Sequence, residues 1–358
     1  MNQAAVAKYF RKNPPPALDA GTFSCAVVIP AYDEAANLPA ALDALEQAAA
    51  AARIAPAVIV VVNHPPGTAD TASLELLKLL ADRRVFTIYL PELAGGVGAA
   101  RKAGMDAFCA AVPPEKLEQT AIFSLDADTL VAPEYFLHVL PEVLRGGGVA
   151  LDFAHRPADN AARQQAIDRY EAYLRRYRDK LRDAGSPYAF FTIGSAFAVR
   201  GDAYIRAGGM KVREAGEDFY FLQAVAKTSG VRSLDGAVVF PSPRTSHRVP
   251  FGTGPAVAAL LAGKPLDEIP DRAFEMLKQV LAQADGDDKL ADPAEFLGRV
   301  PEMAAEFFRQ EHFETVWKKV LQNLPHRQGA AVRAFHEWFD GLKTLRFLHQ
   351  IREISVDF

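Results

Sequence analysis

Two cysteines in 358 residues are too few for a disulfide scaffold, and Cys25 and Cys109 both sit in apolar stretches where a thiol behaves as a small hydrophobe. A reducing compartment, the cytoplasm, is therefore expected. Long hydrophobic runs are missing as well. The longest, such as 256–262, fall far below the ~20 residues of a membrane span, so integral membrane insertion is not expected. No basic, apolar and small-residue signal opens the sequence, and residues 1–20 read as a polar arm closed by Pro14-Pro15-Pro16. A surplus of positive charge is also absent. Forty Lys and Arg against 44 Asp and Glu leave a net charge of −4, which provides no field to gather nucleic acid or acidic lipid. With 24 Gly and 24 Pro, collagen-like and low-complexity classes are excluded. What remains is ordinary globular usage, 50% hydrophobic and 23% charged, in a chain long enough for two domains at ~150 residues each, or one large α/β domain with a helical appendage.

Residues 25–29 form an unbroken apolar, β-branched run ended by Pro30, the pattern of a strand buried on both faces of a parallel sheet. A helix should follow, capped by Asn37, with Leu38, Ala41, Leu42 and Leu45 at helical spacing. Strands over 57–62 and Phe86–Leu90 flank a helix from Thr71 whose apolar positions are Leu74, Leu77 and Leu80. A glycine-rich stretch over 91–98 leads into a helix over 99–112, stopped by Pro113-Pro114, and a strand over 121–125 follows. This alternation predicts right-handed crossovers and a mostly parallel, doubly wound sheet, with ligands beyond the carboxyl ends of its strands. A long helix is expected over Ala161–Asp183, a strand-like stretch over 188–199, a helix near Asp202, a short last strand over 237–240, and helices alone from Pro255 onward. The final stripe, Trp338, Leu342, Leu345, Leu348 and Ile351, has Lys343, Arg346 and Arg352 interspersed. Docking on the sheet domain fits it better than a membrane surface, because its basic residues are sparse. The implied division is an arm (1–22), an α/β domain (23–254) and a helical extension (255–358).

Four motifs could carry chemistry. Asp126-Ala-Asp128 follows an apolar strand. Alternate residues of an extended segment share a face, so two carboxylates can hold Mg²⁺ or Mn²⁺ while a diphosphate completes the shell; a plain polar turn is the alternative. Gly216-Glu217-Asp218 precedes an apolar run and reads either as acids favouring a helix start or as a general base facing an acceptor hydroxyl. In Pro243-Arg244-Thr-Ser-His247-Arg248, His247 could ligate a metal and Arg244 or Arg248 could clamp phosphate; a hydrogen-bonded surface histidine is the alternative. Gly95-Gly96-Val97-Gly98 runs into a helix carrying Arg101 and Lys102, where backbone amides suit phosphate, although no Gly-Lys-Ser/Thr closes a P-loop.

Taken in order, Pro30-Ala-Tyr32-Asp-Glu34-x-x-Asn37-Leu38, the glycine-rich Arg101 segment, Asp126-Ala-Asp128, Gly216-Glu217-Asp218 and His247 resemble family 2 glycosyltransferases from about Cys25 to Gly254. The resemblance implies an α/β GT-A fold, a mostly parallel, Rossmann-like doubly wound sheet, with a nucleotide half (23–130) and an acceptor half (131–254). It also implies metal-dependent transfer, with inversion, from a nucleoside-diphosphate sugar to a hydroxyl of a saccharide, lipid-linked or small-molecule acceptor. By this resemblance Pro30, Tyr32, Glu34, Asn63, Gly96, Arg101 and Asp126 meet the donor nucleotide, and Asp126, Asp128 and His247 hold Mg²⁺ or Mn²⁺. Asp218 is the base with Glu217 beside it, and Arg244, Arg248 and Tyr188 face phosphate or acceptor. Many relatives carry an Asp-Asp-Gly-Ser type turn where this chain has Asn63-His64-Pro65-Pro66-Gly67. Asn63 can donate to and accept from a base edge, so UDP is preferred while guanine stays open. Tyr188, Phe190 and Phe191 could stack on a sugar or be core aromatics, and Arg175, Arg176, Arg178 and Arg182 could meet a lipid phosphate or only solvate a helix. A retaining transferase, a nucleotidyltransferase, and a silent sugar-nucleotide-binding or scaffold protein are the competing readings. No nucleic-acid partner is expected, and peripheral contact at the cytoplasmic membrane face stays open.

Overall fold

The computed structural model describes residues 1–19, 23–213, 215–244 and 252–353. Two units divide the chain, one made of Met1–Glu171 and Phe190–Lys264, the other of Ala172–Ala189 and Pro265–Phe358.

In chain order the first unit holds α1 (Gln3–Lys12), β1 (Cys25–Ala31), α2 (Leu38–Ala52), β2 (Ala57–Asn63), α3 (Thr71–Leu80), β3 (Phe86–Leu90), α4 (Gly96–Ala111), β4 (Ala121–Ser124), β5 (Leu130–Val131), α5 (Tyr135–Arg145) and β6 (Gly148–Phe153). Helix α6 (Ala161–Asp183) shares its residues between the two units, and β7 (Phe197–Arg200), α7 (Gly201–Arg206), α8 (Glu217–Ser229), β8 (Val231–Phe240) and α9 (Thr253–Leu261) complete the first. The sheet order is β3-β2-β1-β4-β7-β6-β8-β5. Strands β3, β2, β1 and β4 are mutually parallel, as the strand–helix alternation implied. Strand β7 enters antiparallel between β4 and β6, and β8 runs parallel to β6. Two reversals restore the direction, so the carboxyl ends of β1, β2, β4, β6 and β8 all face one edge. Cys25 to Ile29 and Ile59 to Val62 are wholly buried, which is what unbroken apolar runs require when helices cover both faces.

Several expectations are corrected. Asn37 does not cap α2 with its side chain; its amide donates instead to Glu34 Oε2 at 2.8 Å. Helix α3 buries Ser73, Leu76 and Leu80 and leaves Leu74 43% exposed, because the Ser73 hydroxyl donates to the Asn63 carbonyl and turns that face inward. The 188–199 stretch forms a strand only from Phe197; a turn bond from Ala196 N to the Ile193 carbonyl precedes it. The last strand starts at Val231, because β6 offers a partner as far back as Gly148. Residues 130–153, for which no elements were expected, supply β5, α5 and β6. The stretch read as an arm contains α1, whose Val6 and Tyr9 join the core. The Tyr9 and Tyr204 hydroxyls both donate to Asp106 Oδ1, at 2.7 and 2.6 Å, and Lys102 Nζ reaches Oδ2 at 2.7 Å. A buried carboxylate with three donors is satisfied rather than stranded.

The second unit gathers α10 (Asp271–Ala282), α11 (Pro293–Arg299), α12 (Glu302–Gln310), α13 (Phe313–Gln322), α14 (Ala330–Trp338) and α15 (Gly341–Glu353). Phe296, Phe308, Phe313, Trp317 and Phe335 form its centre, and the Trp317 indole donates to the Leu290 carbonyl at 2.8 Å. Asp287 accepts from the amides of Gly329, Ala331 and Val332 at the start of α14, and these backbone bonds hold its carboxyl below the usual range. Of the terminal stripe, Leu348 and Ile351 are buried in this unit's core, and Trp338 and Leu345 pack against it. Among the described residues no helix is long and apolar enough to cross a membrane.

Candidate active site

The strand directions decide which motifs meet. Glu34 lies beyond β1, Asn63 ends β2, Asp126 and Asp128 follow β4, Arg156 follows β6 and Arg244 follows β8, so all six reach the same sheet edge. Contacts close the set. Arg244 Nε lies 2.7 Å from Asp128 Oδ2, while its Nη2 pairs with Glu34 Oε1. Arg156 Nη2 donates to the Asp128 carbonyl at 3.0 Å, and the Arg156 amide donates to the Pro241 carbonyl. Arg156 was not among the sequence candidates. Its signal, a cation just past a strand, was invisible while β6 went unrecognised.

Beneath this edge lies Arg101, on the second turn of α4 and 2% exposed. Its Nε donates to Glu217 Oε1 at 3.1 Å, its Nη1 to Ser124 Oγ at 2.7 Å and its Nη2 to Asp126 Oδ1 at 2.5 Å. Burial by itself would lower the guanidinium pKa, but the carboxylates of Asp126 and Glu217 more than offset this and hold it raised. Ser124 is a second residue that the sequence reading missed. It sits at an inward position of an all-buried strand, where a serine among Ile122, Phe123 and Leu125 is the one clue.

Glu217 and Asp218 open α8, whose preceding Gly216 takes a left-handed φ of 72°. Glu217 is buried. Asp218 accepts from the Phe219 amide at 2.7 Å. Burial, and then the Glu217 charge, push its carboxyl up to about 7. Asp128 is also raised, by burial first and by Asp126 second, with Arg244 opposing.

The glycine-rich start of α4 is occupied by protein. The 211–213 segment lies against it, and a Cβ on Gly95 would meet the Val212 side chain at 2.5 Å. Asn63 turns its amide back to the Val61 carbonyl at 3.1 Å. Pro30 lies within β1, before the buried Ala31, and Tyr32 follows the strand; both are half-buried. Tyr188 belongs to the second unit, where its hydroxyl donates to the His336 carbonyl at 2.7 Å. Phe191 is buried edge-on against Phe153, with ring centres 5.1 Å apart, as a core aromatic. In the second unit Arg176 pairs with Glu268 and Asp271. His247 and Arg248 lie outside the described residues.

The sequence profile described as Glycosyl transferase family 2 matches residues 26–207, half of the chain. The chain belongs to glycosyl transferase family 2. As a family 2 glycosyltransferase it has the mixed α/β architecture with a helical C-terminal region that the motifs implied. The match covers Glu34, Asn63, Arg101, Asp126, Asp128 and Arg156, whereas Glu217, Asp218 and Arg244 lie beyond it. No curated protein matches the sequence.

Among solved structures, the glycosyltransferase is similar to S. aureus TarS 1–349 in complex with UDP-GlcNAc, at 13% identity and TM-score 0.42, over 85% of this chain and 93% of that one. It is also similar to glucosyl-3-phosphoglycerate synthase from Mycobacterium tuberculosis with uridine diphosphate, at 13% identity and TM-score 0.40, over 75% and 86%. A third likeness is to the mannosyltransferase PcManGT from Pyrobaculum calidifontis with GDP-Man and Mn²⁺, at 15% identity and TM-score 0.38, over 99% and 88%. These values are low, and the family assignment rests on the profile match.

Proposed function

We propose that this family 2 glycosyltransferase moves a sugar from a nucleoside diphosphate, UDP by preference, to an acceptor hydroxyl with inversion. Asp218 is the base, and Asp126 and Asp128 hold a divalent cation. The observation that carries the reading is the gathering of Glu34, Asp126, Asp128 and Arg244 at the carboxyl edge of the sheet, with Glu217 joined to Asp126 through Arg101.

The donor set fits a hard cation. Asp126 and Asp128 offer carboxylate oxygens, as Mg²⁺ and Mn²⁺ prefer. Among the described residues no third His, Cys, Asp or Glu completes a cluster, so His247 and the donor diphosphate would supply the remaining positions. When bound, the cation neutralises charge on the departing diphosphate.

The chain's own residues perform the rest. Arg244 supplies a guanidinium to phosphate oxygens, and Glu34 and Asn63 line the nucleotide side with Pro30 and Tyr32, whereas Gly96, at the helix start that the 211–213 segment covers, is left out of it. The acceptor oxygen attacks the anomeric carbon as the bond from that carbon to the diphosphate oxygen breaks and its electron pair leaves with the diphosphate. The hydroxyl proton passes to the Asp218 carboxylate. A carboxyl poised near neutrality suits that transfer, because it is both ionised and basic enough at cellular pH. A base on the face opposite the leaving group gives inversion. The acceptor is a saccharide, lipid-linked or small-molecule hydroxyl. Cytoplasmic action, with the membrane face as the meeting place for a lipid-linked acceptor, accords with two buried free thiols.

The test is transfer from UDP-, GDP-, CMP- and dTDP-sugars to an acceptor panel, with Mn²⁺, with Mg²⁺ and with chelator, and with product configuration read by NMR. Inverted, metal-dependent product supports the proposal. A retained anomer, pyrophosphate release, or nucleotide binding without turnover overturns it in favour of a retaining transferase, a nucleotidyltransferase or a silent binding protein.

A further inference from the structure

Arg101 ties together two acidic motifs that stand far apart in the chain. One partner, Asp126, is 25 residues on, and the other, Glu217, is 116 residues on. All three guanidinium nitrogens are engaged by the protein, on Glu217, Ser124 and Asp126. The guanidinium is crowded by backbone as well, because a Cβ on Gly194 would stand 2.3 Å from Nη2 and 3.0 Å from Cζ. The backbone at 194 therefore packs directly on the guanidinium and leaves Nη2 no room for a further ligand on that side.

We infer that Arg101 is a positioning residue for sugar transfer, locking the donor-side carboxylate of Asp126 to Glu217 and so holding the neighbouring Asp218 in a fixed place relative to the donor. The inference rests on the function proposed above and deepens it. The guanidinium is a rigid fork, so its bonds to Asp126 and Glu217 set a distance and an angle between two elements, which a lysine's single point charge cannot do. Glu217 spends an oxygen on this fork and sits buried against it. Taking the acceptor proton is therefore left to Asp218, one residue further along the first turn of α8. Ser124 fixes the fork from below by accepting from Nη1, so β4, α4 and α8 share one rigid node. Misplacing a reacting group by about 1 Å can cost ~100-fold in rate, and this node is the part of the structure that prevents such a shift.

The test compares wild type with Arg101→Lys and Glu217→Gln. The first variant keeps charge and loses the fork, and the second keeps size and an acceptor oxygen and loses charge. Three readings are taken: calorimetric affinity for UDP and GDP with Mn²⁺, kcat at saturating donor, and amide hydrogen exchange over 216–222 with and without nucleotide. The expected result is nucleotide affinity within about 3-fold of wild type and kcat down ~100-fold in each variant. The double variant should fall no further than the worse single. Nucleotide should slow exchange over 216–222 in wild type but not in Arg101→Lys. Loss of nucleotide affinity in step with kcat would make Arg101 a donor ligand and overturn the inference. So would unchanged kcat in folded variants, or exchange protection that survives Arg101→Lys. If Arg101→Lys fails to fold, Glu217→Gln decides on the same readings. A wild type that binds nucleotide without transferring sugar sinks the proposed function alone, and the exchange comparison still decides the linkage. A wild type that binds no nucleotide overturns both.

Discussion

Gly98 lies directly beneath Lys211: a Cβ at position 98 would stand 2.6 Å from the Lys211 carbonyl oxygen and 2.8 Å from that of Arg213. The glycine lets the 211–213 segment close over the start of α4, which is a packing reason for a residue whose type alone suggested phosphate. Gly98→Ala should therefore destabilise the protein by about 1–3 kcal/mol. A thermal melt checks this, and an unchanged midpoint would show that the segment yields without cost.

With Asp218 as the proposed base, transfer should depend on pH. Its carboxyl is pushed up to about 7 by burial and by Glu217, and only the ionised form accepts a proton. At saturating substrates kcat should rise with unit slope below that pH and level off above it. A rate already flat from pH 5 to 8 would take the role of base away from Asp218.

The same shift has a stability consequence of opposite sense. A carboxyl with a raised folded-state pKa binds its proton more tightly folded than unfolded, so it favours folding at acid pH, and this is lost as pH rises through about 7. Asp218→Asn has no proton to lose. Relative to wild type it should melt higher at pH 8 than at pH 5, while transfer falls by ~10²–10⁴-fold. Equal melting differences at the two pH values would contradict the shift.

Removing the acidic pair should separate nucleotide binding from metal. Wild type with nucleotide and Mn²⁺ at about 100 times Kd gains ~2.7 kcal/mol by mass action. In Asp126→Ala and Asp128→Ala the part of the melting shift that chelator abolishes should disappear. Asp126→Ala should also lower the ligand-free midpoint, because it leaves the buried Arg101 one partner short. A metal-dependent shift that survives in Asp128→Ala would place the cation elsewhere.

Tyr9→Phe removes a donor from the buried Asp106 without changing the packing of the ring. Leaving that carboxylate with one partner fewer should cost roughly 1–3 kcal/mol, measurable by denaturant titration. No loss would mean that Tyr204 and Lys102 satisfy Asp106 by themselves.

Legibility from sequence followed the range of the interaction. Strands β1, β2 and β4 were readable because burial on both faces leaves unbroken apolar runs, and the placing of Asp126-Ala-Asp128 at a strand's carboxyl end was readable because the motif directly follows one of those runs. Strand β6 was missed although Gly148 to Leu151 are buried, since a run of four apolar residues is too short to tell a strand from a helix segment. Leu80 of α3 was placed correctly, but Ser73 and Leu76 are buried in place of Leu74 and Leu77, with the Ser73 hydroxyl bonded to the Asn63 carbonyl. The Arg101 link to Glu217 was beyond reach, since nothing near either residue records a partner 116 positions away.

Strand β7 sits between β4 and β6, and this placement governs the order in which the sheet can be completed during synthesis. Strand β4 ends at Ser124 and β7 begins at Phe197, an interval of roughly 4–15 s at ~5–20 residues per second. Throughout that time the nascent chain holds four parallel strands with an open backbone edge next to Asp126, available to any other extended chain. Helix α1 waits even longer for Tyr204 on α7. Slower translation or a scarce chaperone should therefore appear first as aggregation of chains arrested between β4 and β7.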